Sequence, residues 1–184
     1  LVGCGLGVCD DTLKIVFSLI ENSTTPLVLD ADALNCVAKQ PEILLRKKAP
    51  IIITPHPGEM SRLTGLATPL VNAERERVAL DFAQKYGVVT VLKGAGTVIA
   101  SPNGKVLVNP TGNSGMATGG SGDVLAGMTT SILAQGASPF SSAAAAVYLH
   151  GLAGDIAAEK YGKISMLPTD LINCIPLAYK RCGF

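Results

Sequence analysis

A glycine-rich segment followed directly by an aspartate is the part of the sequence that most clearly indicates chemistry. Five of the eleven residues from Gly112 to Gly122 are glycine, and Asp123 follows in the first turn of a predicted helix. Glycines let backbone N–H groups point together at one anion, and a helix N-terminus adds free N–H groups and its dipole. A carboxylate beside that anion can take a proton from an attacking hydroxyl. The pattern predicts phosphoryl transfer with Asp123 as the base.

A purely structural reason for Asp123 also exists, because aspartate is favoured at helix N-termini by the helix dipole alone. The helix dipole alone does not explain why so many glycines precede Asp123. Ordering a glycine on folding costs more conformational entropy than ordering any other residue, so a run with this many glycines needs a functional reason.

Polar or glycine-rich residues also follow each of the other predicted strands. The strand ends are Gly3-x-Gly5-x-Gly7, Asp30-Ala31-Asp32-Ala33-Leu34-Asn35, Thr54-Pro55-His56-Pro57-Gly58-Glu59 and Lys93-Gly94-Ala95-Gly96-Thr97. In an open α/β sheet, ligands bind just beyond the carboxyl ends of the parallel strands. We therefore expect these four ends to converge on one edge of a sheet.

The elements that position these residues alternate along the chain. Short apolar runs at 26–30, 51–54 and 88–93, separated by helical patterns, predict right-handed βαβ units and a parallel sheet covered on both faces. Asn103-Gly104 predicts a hairpin between strands at 97–100 and 105–109. Helices are predicted at 11–20, 31–39, 42–47, 57–63, 72–86, 123–135, 139–159 and 169–181. The fold class is α/β.

Composition narrows the possible functions. The 184 residues carry 15 basic and 14 acidic side chains, a net charge of +1 that gives no broad basic face for nucleic acid. Charged residues are only 16%, which predicts buried faces or oligomer contacts. No apolar run reaches the length of a membrane span. Five cysteines without a Cys-x-x-Cys pair, and two histidines, predict no zinc site but free thiols in a reducing cytoplasm.

Several common phosphate-binding and hydrolytic motifs are absent from the sequence. It holds no P-loop, no ordinary dinucleotide fingerprint, no Gly-x-Ser-x-Gly elbow and no His-Glu-x-x-His. The phosphate-binding device is therefore expected at the helix start, residues 119–123.

Gly119-Gly-Ser-Gly-Asp-Val-Leu-Ala-Gly127 is similar to the anion-hole signature of the ribokinase-like fold. The chain resembles the ADP/ATP-dependent NAD(P)H-hydrate dehydratases from Gly3 to about Asp170. The resemblance rests on four motifs in this order: the strand ends at 30–35, 54–59 and 93–97 and the segment 109–123. The resemblance implies a three-layer αβα domain with a mainly parallel sheet. It implies dehydration of the S epimer of hydrated NADH or NADPH, with ADP converted to AMP and phosphate. Met116-Ala117-Thr118 is similar to the prokaryotic branch, which typically uses ADP rather than ATP.

The same resemblance assigns roles to individual residues. Asp123 is expected to be the base and to contact the hydrated nicotinamide. The residues expected to bind the nucleotide are Lys93, Gly94, Ala95, Gly96, Thr97, Gly119, Gly120, Ser121 and Gly122. Those expected to contact the hydrated dinucleotide are Gly5, Gly7 and His56. Asp30, Asn35 and Glu59 are expected to be active-site polar groups, with Mg²⁺ held through water and no direct metal ligand.

Structural alternatives remain open for several of these residues. His56 between two prolines could only shape a turn. Lys93 could be an exposed cation at a strand end, and Asp30 and Asp32 could cap the following helix. His150, in an Ala-rich helix, is predicted to be a core or interface histidine, and the five cysteines to be packing residues.

The family resemblance also bears on the extent and assembly of the chain. The family shows a further stretch before the Gly3-x-Gly5-x-Gly7 turn, so residues 1–184 are expected to be a single catalytic domain that is truncated at its N-terminus. The family often forms tetramers, so a homo-oligomer is expected.

Two alternatives for function stay open: a small-molecule kinase of the same superfamily, for hydroxyethylthiazole, pyridoxal or hydroxymethylpyrimidine, and a non-catalytic adenylate-binding module.

Overall fold

The computed structural model describes residues 1–184 and contains one five-stranded sheet with helices on both faces. The strands are β1 (Leu27–Leu29), β2 (Ile51–Ile53), β3 (Val89–Leu92), β4 (Val98–Ala100) and β5 (Val106–Val108). The helices are α1 (Asp10–Asn22), α2 (Asp32–Val37), α3 (Pro57–Thr64), α4 (Thr68–Ala73), α5 (Arg75–Tyr86), α6 (Ser121–Ala134), α7 (Pro139–Tyr161) and α8 (Pro168–Arg181). Two 3₁₀ turns lie at Pro41–Arg46 and Ser114–Met116.

The sheet order is β1-β2-β3-β4-β5, and its first three strands are parallel. The prediction of parallel βαβ units is therefore confirmed. β4 and β5 continue the sheet in antiparallel fashion through the predicted hairpin. Val2 forms an isolated parallel bridge with Leu29, so the chain that runs into Gly3 lies beside β1. The three parallel carboxyl ends and the turn at Gly3 thus face one edge.

Alternate residues of each parallel strand face two separate hydrophobic cores. Leu29 and Ile53 pack against α1 to α5, whose buried side chains include Phe82. Val28 and Ile52 pack against α6, α7 and α8 on the opposite face. This burial on both faces explains why the strands are continuously apolar, and it makes the molecule a three-layer αβα structure.

Two predicted helices differ from the structure. The helix predicted at 72–86 is broken at Glu74, whose φ of −125° and ψ of 41° are not helical, so α4 ends before α5 begins at Arg75. The segment predicted as a helix at 42–47 is a 3₁₀ turn that starts at Pro41. None of the helices combines the length and the apolar character needed to cross a membrane.

Candidate active site

A partly buried ion pair joins the ends of two parallel strands. Lys93, after β3, places Nζ 2.6 Å from Oδ1 of Asp30, which follows β1 and is 1% exposed. The same Nζ lies 3.8 Å from Oε2 of buried Glu59 on α3. Lys93 is therefore not the exposed strand-end cation that the sequence left open. Asp30 also does not cap α2, whose N-cap Ala31 has no side-chain hydrogen bond.

Asp123 lies close to Asp30 and Cys4. One oxygen each from Asp30 and Asp123 and the sulfur of Cys4 lie within 4.8 Å of one another. Burial raises the pKa of the Cys4 thiol to about 11, and the hydrogen bond with Asp123 and the charge of Asp30 add to the shift. Cys4 therefore remains a neutral thiol beside the two carboxylates.

The start of α6 offers unused hydrogen-bond donors. Gly120, at the N-cap, has φ of +99° and provides no side-chain cap. The amides of Gly122 and Asp123 have no hydrogen-bond partner, and the Ser121 hydroxyl is buried without one. Buried polar groups are normally paired. Free donors at a helix N-terminus are suited to bind an anion, and the Asp123 carboxylate beside them is suited to accept a proton next to that anion.

A cavity of about 510 Å³ opens beside this helix start. Its walls are the turn from Lys93 to Thr97, the segment 109–117, the start of α6 and the middle of α7. Seven of the nine residues expected to bind a nucleotide line it, namely Lys93, Gly94, Ala95, Gly96, Thr97, Ser121 and Gly122. Gly119 and Gly120 do not line it, and neither does Asp123, which lies at its side near Asp30.

The segment 109–117 is held against α7 by a carboxylate. Asp155 accepts a hydrogen bond from the Gly112 amide and another from the Asn113 side chain, both at 2.9 Å. Asn113 in turn accepts from the Gly115 amide at 3.0 Å. A Cβ on Gly151 would lie 2.2 Å from the Thr111 hydroxyl, so α7 needs a glycine where this segment crosses it.

His56 caps α3 and so has the turn-shaping role that the sequence left open. Its Nδ1 accepts hydrogen bonds from the amides of Gly58 and Glu59, and the Glu59 side chain accepts from the His56 amide at 2.7 Å. About half of the His56 side chain is exposed, and Nε2 lies 3.5 Å from Glu59 Oε1. Since Nδ1 is an acceptor, the neutral ring carries its proton on the exposed Nε2.

Gly7 and Asn35 form a second polar group around Asp32, whereas Gly5 lies in the turn after Gly3 with φ of +67°. The Gly7 amide donates to Asp32 at 2.8 Å, and the Asn35 side-chain amide lies 3.5 Å from the same carboxylate. Asn35 also accepts from Arg62 at 2.9 Å. Asp32 therefore does not cap α2, and Asn35 forms no hydrogen bond with Lys93.

A family model described as NAD(P)H-hydrate dehydratase matches residues 1–177. The chain belongs to this family.

Members of the NAD(P)H-hydrate dehydratase family with high similarity include both curated proteins and solved structures. A bifunctional NAD(P)H-hydrate repair enzyme of Moorella thermoacetica is 44% identical over 180 residues, covering 98% of this chain and 34% of that protein. An ADP-dependent (S)-NAD(P)H-hydrate dehydratase of Neisseria meningitidis is 42% identical over 165 residues, covering 88% and 56%.

A solved Bacillus subtilis ADP/ATP-dependent NAD(P)H-hydrate dehydratase, co-crystallized with ATP/Mg²⁺ and soaked with CoA, has a TM-score of 0.88 at 35% identity, covering 98% of this chain and 64% of that one. The architecture is the ribokinase-like fold of the similar solved structures. The chain spans about a third of the length of the bifunctional relatives that it matches.

In this member of the dehydratase family, the expectation that the cysteines are packing residues is only partly correct. Cys36 and Cys174 are buried in the two cores. Cys4 stands at the site beside Asp123, exposed Cys9 caps α1 by accepting from the Thr12 amide, and Cys182 is exposed. All five are free thiols, as predicted.

His150 is buried, as predicted, but it also lines the cavity. Its Nε2 lies 2.9 Å from the Ser121 carbonyl oxygen, so the neutral ring donates there and ties α7 to the start of α6. Sequence reasoning missed this role because 29 residues separate the partners. Burial is the main cause that lowers the pKa of His150, from 6.5 to about 4, and the nearby positive charge of Lys93 adds to it.

Replacement of His150 by glutamine should reduce the loss of stability in acid. Between pH 6.5 and pH 4 the unfolded chain protonates His150 while the folded protein does not, so the free energy of unfolding falls as the pH falls. At pH 4, His150 accounts for a decrease of about 3 kcal/mol in the free energy of unfolding. Urea unfolding at pH 7 and at pH 4.5 should show a smaller decrease in His150→Gln than in the wild type. The exposed His56→Gln is the control, and equal decreases in all three proteins would contradict the expectation.

Ala31 has the only positive φ among the residues other than glycine, with φ of 49° and ψ of −118°. It lies between Asp30, which pairs with Lys93, and Asp32, which accepts from Gly7. Gly3 packs against the same backbone, since a Cβ there would lie 1.7 Å from the Asp30 carbonyl oxygen. The backbone that aims Asp30 is therefore strained and closely packed.

Proposed function

We propose that this chain dehydrates the S epimer of hydrated NADH or NADPH at the expense of ADP, giving NAD(P)H, AMP and phosphate. Membership of the NAD(P)H-hydrate dehydratase family supports the proposal. The observation that carries it in the structure is the start of α6, where the unpaired Gly122 and Asp123 amides and the orphaned Ser121 hydroxyl stand beside the Asp123 carboxylate. These donors suit a transferring phosphoryl group, and the carboxylate suits the proton of the attacking hydroxyl.

The reaction needs this arrangement because hydroxide is a poor leaving group. In the proposed first step the ring hydroxyl oxygen attacks the terminal phosphorus of ADP, Asp123 accepts the hydroxyl proton, and AMP leaves with the electron pair of the broken P–O bond. In the second step the ring C–O bond breaks, phosphate leaves with its electron pair, and loss of a ring proton restores the double bond. The free amides at the start of α6 stabilise charge on the phosphoryl oxygens.

The residues present also fit a hydrated Mg²⁺. Asp30 and Asp123 bring carboxylate oxygens close together, but Asp30 is already paired with Lys93 and the third group, Cys4, is a neutral thiol. Mg²⁺ prefers oxygen ligands and keeps several waters. Asp30 and Asp123 would therefore hold the ion through water, and the ion would neutralise charge on the nucleotide phosphates.

A kinase of the same superfamily is not favoured. Its anion site and base would look the same, but the family match and relatives 35–42% identical and named as dehydratases support the dehydratase reading. The product separates the two reactions, since a kinase leaves a stable phosphorylated metabolite.

We further propose that residues 1–184 act as one catalytic domain in a cytoplasmic homo-oligomer, with a tetramer as the expected form. Five free cysteines support a reducing compartment. Exposed apolar side chains support a contact between subunits. They include Ile15 and Leu19 on α1 and Ile172 and Leu177 on α8.

Incubation of the protein with NADH hydrate and ADP should restore the NADH absorbance band. Only the S portion of a mixture of epimers should react, because nothing in the proposed site interconverts them. ATP in place of ADP tests the choice of nucleotide, and omission of nucleotide is the control that should show no recovery. ADP binding without any recovery of absorbance would contradict the proposal and leave an adenylate-binding module.

A further inference from the structure

Arg75, the first residue of α5, contacts the turn that lines one wall of the cavity. Its guanidinium donates to the carbonyl oxygens of Leu92 at 2.8 Å, Lys93 at 3.4 Å and Gly96 at 3.4 Å. It forms none of the ion pairs in the molecule, and burial lowers its pKa. A partly buried guanidinium held only by carbonyl oxygens is costly, which indicates a purpose at this position.

Arg75 and the turn are packed against each other. Gly94 has φ of +149°, and a Cβ on it would lie 2.7 Å from Nη1 of Arg75. The other side of the turn is held by the sheet, since the Lys93 amide donates to the Pro55 carbonyl at 2.8 Å. The guanidinium therefore occupies the space beside Gly94 and holds the turn from the side of α5.

The direction of the turn's amides follows from the planarity of the peptide bond. In a trans peptide the C=O and N–H groups point in opposite directions. The Lys93 and Gly96 carbonyls point toward Arg75, so the amides of Gly94 and Thr97, which follow them in the same peptides, point away from it. Neither amide has a hydrogen-bond partner, and both residues line the cavity.

We propose that Arg75 is a positioning residue, which collects the carbonyl oxygens of this turn so that the Gly94 and Thr97 amides face the nucleotide. The guanidinium does not line the cavity itself. Its positive charge, which no carboxylate neutralises, adds a favourable potential for the anionic ligand. The inference rests on the proposed function in one respect, namely that the ligand of this cavity is ADP.

The test compares ADP binding and turnover in Arg75→Met, Arg75→Lys and the wild type. Loss of the charge-assisted hydrogen bonds should weaken ADP binding by about tenfold or more in Arg75→Met. The kcat at saturating ADP should change much less, because Asp123 and α6 are untouched. Arg75→Lys should recover part of the affinity, since an ammonium keeps the charge but lacks the planar fork that reaches several carbonyls.

Arg77→Met is the matched control. Arg77 lies on the same helix, but it is exposed and pairs with Glu74 and Asp81 at the surface. Its replacement should leave ADP affinity unchanged. Arg75→Met with wild-type ADP affinity would overturn the inference, as would a loss of kcat with unchanged affinity. Should Arg75→Met fail to fold, Arg75→Lys decides by the same two readouts.

The outcome for Arg75 is separable from that for the reaction. A wild-type protein that binds ADP calorimetrically but restores no NADH absorbance contradicts the proposed dehydration, while the affinities of the variants still test Arg75. A wild-type protein that does not bind ADP overturns the inference directly.

Discussion

Replacing Asp123 by asparagine should slow the recovery of NADH absorbance severely while ADP still binds. Asparagine has nearly the same shape but does not accept the proton of the attacking hydroxyl. The free amides of α6 remain, so the nucleotide keeps its donors. General-base catalysis contributes about 10²- to 10⁴-fold, and kcat should fall by at least about a hundredfold. The measurement is turnover of the hydrate, with the ADP dissociation constant from titration calorimetry.

A matched control separates proton transfer from a simple effect at a helix start. Asp10 also lies in the first turn of a helix, α1, and is exposed. Asp10→Asn removes the same charge from a helix N-terminus, which is worth about 0.3–1 kcal/mol of stability. It should leave turnover unchanged. Full activity in Asp123→Asn would exclude Asp123 as the base.

Replacing Lys93 by methionine should have the largest effect on stability, together with loss of turnover. It leaves the Asp30 carboxylate, 1% exposed, without the cation that lies 2.6 Å away. Breaking a buried ion pair from one side costs about 3–5 kcal/mol. The nearby Glu59 also loses a cationic neighbour. Urea unfolding of Lys93→Met should have its midpoint at a much lower urea concentration than the wild type, with little change in the m-value.

The double variant Lys93→Met with Asp30→Asn tests the cause of that loss. It removes both charges, so it should be clearly more stable than Lys93→Met alone. Lys105→Met is the control at an exposed lysine without an ion pair and should lie within about 0.5 kcal/mol of the wild type. A Lys93→Met protein as stable as this control would show that the pair does not hold the site together.

Much of the sheet was predictable because its signals are local. Runs such as Ile51–Ile53 are apolar throughout, and a strand buried on both faces needs that pattern. The convergence of Asp30, Glu59 and Lys93 followed from the same reasoning, since parallel strands end at one edge. The start of α6 was visible through its glycines.

Other parts of the site depend on contacts between distant residues, which periodicity does not reveal. Asp155 holds Gly112 from 43 residues away, and the only sequence sign is a helix with glycines at 151 and 154. Arg75 looked like the interior of one helix because residues 72–86 keep a helical pattern across the break at Glu74. His150 carries no motif of its own, and Cys4 occupies an unspecified position between Gly3 and Gly5.

The strained backbone of Ala31 lowers the stability of the folded protein. A residue with a Cβ in such a conformation costs about 1–3 kcal/mol, and here it lies between Asp30, which pairs with Lys93, and Asp32, which accepts from the Gly7 amide. Selection for thermal tolerance alone would favour relief of this cost, for instance by glycine at position 31. The orientation of the Asp30 side chain toward Lys93 would then depend on packing alone. The residue at position 31 that gives the highest thermal stability would therefore differ from the residue that gives the highest turnover.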